Sequence, residues 1–188
     1  MAPQDVSGDK KRALAKGAAL IHSDEASFRQ DSTLHSTWSR RGHQPEIPVT
    51  GERKSIKVFG CIEVFSARFL YNRKDVFNGR TYIEFLEHTA RAYYPRDVYH
   101  IQDNASYHKD ADVRSWFREN KSWWRTWYLP PYSPDFNAAE PLWHHTRMEG
   151  THDRYFASQR EIMETLTRVF RSMQRRPQQI RGYLAPFS

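Results

Sequence analysis

Ala18-Ala19-Leu20-Ile21-His22-Ser23-Asp24-Glu25 is the stretch on which the fold turns. Residues 18–23 form a short apolar run that breaks into an acidic pair, the pattern of a buried strand with carboxylates at its C-terminal end. Val98-Tyr99-His100-Ile101-Gln102 repeats it, running straight into Asp103-Asn104. Between these two strands, residues 33–39 and 55–64 read as two more, separated by a loop punctuated by Gly42, Pro45, Pro48 and Gly51. Arg68–Tyr71 adds a partner to that meander.

Helical spacing follows. Tyr82, Leu86, Thr89 and Tyr93 form a stripe over 81–93, widened by Ile83 and Ala90. A second helix is predicted over about 109–119, with Val113, Trp116 and Phe117 inward. Residues 125–129 make another strand, after which Pro130, Pro131 and Pro134 impose a rigid, non-helical connection. A helix should start near Glu140 or Pro141 and stop near Gly150. Ser158 and Glu161 form a capping box for a last helix carrying Ile162, Met163, Leu166, Val169, Phe170 and Met173 on one face. The fold class is therefore α/β: a mixed sheet of three antiparallel strands followed by strand-helix units, with helices on both faces. A basic segment (1–17), with a short helix over Asp9–Lys16, precedes one domain (18–175), and an irregular tail (176–188) with Pro177 and Pro186 follows it.

Composition narrows the partners. In 188 residues, 29 Lys and Arg against 22 Asp and Glu give a net charge of +7, which favours a polyanion such as nucleic acid. Cys61 stands alone, so an internal disulfide and a multi-cysteine zinc site are excluded. No run approaches the roughly 20 apolar residues of a membrane span, and the N-terminus lacks an apolar signal core. A cytoplasmic, membrane-free setting is expected.

Three acids stand at strand ends or helix starts, where an α/β sheet can gather them: Asp24, Asp103 79 positions later, and Glu140 a further 37 on. Clustered carboxylates resist joint ionisation. A hard divalent cation makes such a cluster useful, because Mg²⁺ binds carboxylate and phosphate oxygens, and two ions can clamp an in-line phosphoryl displacement. Glu25 adjoins Asp24 and should point to the opposite face of the strand, leaving Asp24 as the ligand. Each acid also has a plainer reading: Asp24 in an acidic turn, Asp103-Asn104 as a turn pair, and Glu140 complementing a helix N-terminus.

Three blocks carry a resemblance: Ser23-Asp24-Glu25-Ala26-Ser27-Phe28, then Gln102-Asp103-Asn104-Ala105 with His108, then Pro131-Tyr132-Ser133-Pro134-Asp135-Phe136-Asn137-Ala138-Ala139-Glu140-Pro141-Leu142-Trp143. They resemble the catalytic blocks of Tc/mariner-superfamily DDE transposases, and with Thr151-His152-Asp153-Arg154-Tyr155-Phe156 they look closest to the bacterial insertion sequence six-thirty group. Ala138 and Ala139 stand where that pattern has proline and isoleucine.

The resemblance implies a ribonuclease H-like, five-stranded sheet and a catalytic, metal-binding triad of Asp24, Asp103 and Glu140. Two Mg²⁺ ions, with Mn²⁺ able to substitute, would serve DNA cleavage and strand transfer in cut-and-paste transposition at TA targets. Glu25, Asn104, His108, Asp135 and Asn137 are candidate supporting residues. Arg40, Arg41, Arg53, Lys54 and Lys57 are candidate DNA contacts or a solvated basic face. Implied partners are double-stranded DNA, as transposon ends and target, a second copy of the chain, and a separate or frameshifted N-terminal DNA-binding part. The implied location is the bacterial cytoplasm, on the nucleoid when DNA-bound.

Two rivals stay open: a catalytically silent or domesticated fragment acting as a DNA-binding or regulatory protein, and another ribonuclease H-like nuclease. His144, His145 and His152 also admit a zinc reading, although no His-Glu-x-x-His pattern is present. Trp123, Trp124, Trp127 and Tyr128 could stack on bases or pack the core.

Overall fold

Side-chain alternation along β1 (Ala19–Arg29) divides the molecule into two layers. Leu20, Ala26 and Phe28 enter one core, whereas Ala19 and Ile21 enter the other. The computed structural model describes residues 13, 15–31, 40–43, 46, 51, 54–131 and 133–187. The strand expected over 33–39, most of the helix expected over Asp9–Lys16, and Arg53 lie outside the described residues.

Five strands form one sheet, β1 with β2 (Ser55–Glu63), β3 (Phe69–Lys74), β4 (Val98–Gln102) and β5 (Trp124–Tyr128), in the order β3-β2-β1-β4-β5. β1, β2 and β3 run antiparallel to their neighbours, while β1, β4 and β5 run parallel. This is the mixed five-stranded sheet anticipated above. α1 (Gly79–Tyr93) and α2 (Ala111–Glu119) supply one layer through Tyr82, Phe85, Leu86 and Val113. α3 (Glu140–Thr146), α4 (Gln159–Arg175) and α5 (Gln178–Leu184) supply the other through Leu142, Trp143, Leu166, Phe170, Ile180 and Leu184.

Local chemistry explains the helix starts. Asn78 caps α1 by accepting from the Thr81 amide, and the Thr81 hydroxyl accepts from the Asn78 amide in return. Ser158 caps α4 by accepting from the Glu161 amide, but the Glu161 carboxylate takes the Ala157 amide rather than that of the cap residue. The tryptophan question resolves towards packing: Trp124 is buried and Trp127 stacks on Tyr99 with centroids 5.2 Å apart.

Two expectations need correction. β1 does not end at the acids; it continues to Arg29, because its ladder with β2 extends from Ile21 to Arg29 while its parallel pairing with β4 covers only Ala19–His22. Asp24 and Glu25 thus lie just beyond the parallel pairing, where β4 has given way to Asp103. The tail after Arg175 is not irregular either: α5 forms, and burial of Ile180 and Leu184 against the sheet layer supplies the apolar stabilisation that holds it there.

Candidate active site

The carboxyl ends of parallel strands open a crevice that chain reversal leaves unfilled, and α/β proteins place ligands there. Here Asp24, Asp103, Asn104, Asn137 and Glu140, with Ala105 and the run from Leu129 to Pro131, line a cleft of about 420 Å³. The three acids singled out from sequence therefore come together, although the first and the last are 116 positions apart in the chain.

Each is held differently. Asp24 is half-buried on β1, and its Oδ2 accepts from Trp143 Nε1 at 3.1 Å. Trp143 approaches β2 so closely that a Cβ on Gly60, the residue paired with Asp24, would fall 2.8 Å from its Cζ2. Asp103 follows β4, where its Oδ1 accepts from the Ala105 amide at 3.0 Å and lies 3.2 Å from the buried His108 Nδ1. Asn104 Nδ2 donates to the Leu129 carbonyl at 2.6 Å and ties this loop to the end of β5. Glu140 opens α3, exposed to solvent at the cleft margin.

The proline-rich block is anchored from beneath. Buried Asn137 accepts the Ala139 amide through Oδ1 at 3.1 Å, and the Ala138 amide donates to His22 Nδ1 on β1 at 3.2 Å. Burial depresses the His22 pKa to about 3, so the ring is neutral and free to accept that bond. Ala138 and Ala139 are fully packed. Asp135, a candidate supporting residue, is exposed and lies outside the cleft lining.

Glu25 follows the opposite face as predicted, towards Tyr107 and the α1/α2 layer, but this does not remove it from the acidic cluster. Its carboxylate, Asp103 and His108 all lie within 4.8 Å of one another. Asp103 follows the end of β4, and its charge acts on both β1 acids. Their mutual repulsion is visible in the ionisation. Burial first, then the negative charges of Glu25, Glu140 and Asp103, hold the Asp24 carboxyl well above the usual carboxylate range. Burial likewise raises Glu25, with the Tyr107 hydroxyl partly offsetting it. Burial also works against the Asp103 carboxylate, yet His108 and the Ala105 amide overcome it and keep that pKa low.

No Lys or Arg among the described residues lines the cleft. Arg40, Arg41 and Lys54 are exposed elsewhere, and Lys57 is paired in register with Ser27, three residues along β1 from Asp24. His145 contacts Tyr183 rather than the acids. Sequence reasoning assigned no role to Trp143, His22 or Gly60. Only Gly60 carried a signal, since a glycine inside a strand often marks close approach by another group.

Residues 19–163 match the DDE superfamily endonuclease family. Among curated proteins, the chain is 24% identical over 125 residues to the insertion element IS630 uncharacterized 39 kDa protein of Shigella sonnei, covering 66% of this chain and 36% of that one. It is 28% identical over 136 residues to the transposable element Tcb2 transposase of Caenorhabditis briggsae, covering 66% and 49%. The chain thus spans between about a third and a half of the length of these relatives. Among solved structures, the catalytic domain of Mos1 mariner transposase superposes with a TM-score of 0.59 at 13% identity, over 96% of this chain and 86% of that one. A pre-cleavage Mos1 transpososome gives 0.65 at 15% identity, over 96% and 58%. The ribonuclease H-like architecture, the gathered acids and the match over most of its length lead to one assignment: the chain belongs to the DDE superfamily endonuclease family.

Proposed function

We propose that this chain is the catalytic domain of a DNA transposase, cutting DNA at a transposon end and joining the released 3′-hydroxyl to target DNA. One observation carries the reading: Asp24, Asp103 and Glu140 share a cleft that no described Lys or Arg lines. Such a cluster is unfavourable by itself, and its all-oxygen donor set suits Mg²⁺ or Mn²⁺. The family membership and the Mg- and Mn-bound Mos1 structures among its neighbours agree with that chemistry.

Asp24, Asp103 and Glu140 would hold two divalent ions, with Glu25 close behind Asp103. Once bound, such ions stabilise charge on phosphoryl oxygens and lower the pKa of attacking water. Trp143 keeps the Asp24 carboxylate turned into the cleft, and His108 with the Ala105 amide fixes Asp103 in its ionised form. Asn104 and Asn137 position the two loops that close the site. No side chain here need form a covalent intermediate.

Double-stranded DNA as substrate and target, assembly as a homodimer, a further N-terminal DNA-binding part and work in a bacterial cytoplasm belong to the same proposal. No described helix is long and apolar enough to cross a membrane. Purified chain, alone and with any upstream partner, should nick supercoiled DNA with Mg²⁺ or Mn²⁺ and not with EDTA. Equal nicking by Asp24→Asn would sink the assignment.

A further inference from the structure

A second concavity, of about 480 Å³, runs between α2 and the edge strand β5. Arg114 and Arg118 stand one turn apart on α2, Lys121 follows the helix, and Arg125 rises from β5. Arg114 and Lys121 are exposed and pair with no described carboxylate, and Arg118 reaches the Ser115 hydroxyl at 3.4 Å. Arg125 alone is committed to an acid, Asp97 at 3.2 Å. Three cations are thus available to an anionic ligand.

The groove leads to the acid cleft. Tyr128 closes one end of it, and the next residues, Leu129 to Pro131, line the cleft. A solvated basic face needs no such continuity. A polyanion does, because four carboxylates around the cleft repel the phosphates they must receive, and cations just beyond it offset that repulsion. β5 has five residues and spans roughly 17 Å at about 3.4 Å each, the axial length of about five phosphates along one strand of duplex DNA.

We infer that the α2/β5 groove is a DNA-binding track that grips the backbone of duplex DNA leaving the cleft, through Arg114, Arg118 and Lys121. This rests on the reading of the cleft as a DNA-cleaving site, but it can fail separately. Anisotropy titrations of a fluorescent duplex of arbitrary sequence, in EDTA and over a range of salt, measure the grip directly. The variant Arg114→Gln/Arg118→Gln/Lys121→Gln should lower the slope of log K against log salt by about 2–3, near 0.9 per lost phosphate contact. Lys121→Gln alone should lower it by about 1. All three side chains are exposed, so melting temperatures should stay at the wild-type value.

Arg168→Gln/Arg171→Gln/Arg175→Gln, an equal charge change on the exposed side of α4, should leave the slope unchanged. An unchanged slope in the α2/β5 variant, or an equal drop in the α4 control, would overturn the inference. If the slope falls as expected while wild-type chain never nicks DNA with Mg²⁺, the groove stands and the cleavage reading fails. Nicking by wild type with no slope change refutes the groove and keeps the cleft.

Discussion

Asp24 and Glu63 occupy adjacent strands of one sheet, and their surroundings are opposite in kind. Glu63, 2% exposed at the end of β2, is answered by Arg96 at 2.7 Å and by the Ser66 hydroxyl at 2.6 Å. Arg96 also donates to the Gly17 and Ala18 carbonyls, so the pair pins the entry to β1. Asp24 has only neutral donors, Trp143 and the Glu25 amide, and three acids for company. A buried acid that stabilises a fold comes with its counter-charge; one that awaits a cation comes without it.

The largest effect that sharpens this contrast is catalytic. Asp24→Asn, Asp103→Asn and Glu140→Gln should each abolish metal-dependent nicking, a loss greater than the ~10–100-fold typical of removing an outer-shell partner. Plasmid nicking per folded molecule checks it, with Glu63→Gln as the contrasting case that should still cut.

Glu63→Gln should instead lower stability, because Arg96 loses its charged partner. The Arg96 side chain is 41% exposed and can turn to water, so the cost falls nearer about 1–3 kcal/mol than the full penalty of a stranded charge. Thermal unfolding should register it as roughly 2–4 °C per kcal/mol. Gly60→Ala should cost a similar ~1–3 kcal/mol by forcing Trp143 away from β2. It should also weaken Mn²⁺ binding, which calorimetry would detect, because Trp143 orients Asp24.

Smaller effects concern the acid cluster without metal. Asp24→Asn should raise the melting temperature in EDTA, since it removes repulsion while the amide oxygen can still accept from Trp143. Metal-induced stabilisation, which follows mass action in the wild type, should shrink.

The pH dependence has a definite sign. Unfolded Asp ionises near 3.8, whereas folded Asp24 keeps its proton to much higher pH. Its contribution to stability is therefore fully present below about 3.8 and is lost as pH rises through the folded pKa. Comparing melting curves of wild type and Asp24→Asn in EDTA isolates it: the variant's advantage should grow with pH across that window. A constant difference would mean that Asp24 is not strained by its neighbours.

Much of the fold is legible in the sequence. Val98–Gln102 has the predicted limits, because a short apolar strand between Asp97 and Asp103 carries its own boundaries. The helix stripe at Tyr82, Leu86, Thr89 and Tyr93 was likewise local, although Phe85 proved more deeply buried than Ile83 or Ala90. The end of β1 was misread because continuation past Asp24 depends on its ladder with residues 55–63, which the strand itself does not encode. The tail was misread for a similar reason: Pro177 and Pro186 suggested irregularity, but Ile180 and Leu184 find a core already built by the rest of the chain.

By itself, then, the sequence determined the α/β class, the order of the described strands and helices, and that Asp103 and Glu140 stand at element ends, since periodicity and turn chemistry act over a few residues. Tertiary structure alone decided that Glu25 stays within reach of Asp103 despite facing the other layer, and that Trp143, 119 positions on, steers Asp24. It also decided that the basic face of α2 adjoins the acid cleft through β5. These are relations between side chains brought together by sheet register and packing, and a linear pattern holds no distances between strands.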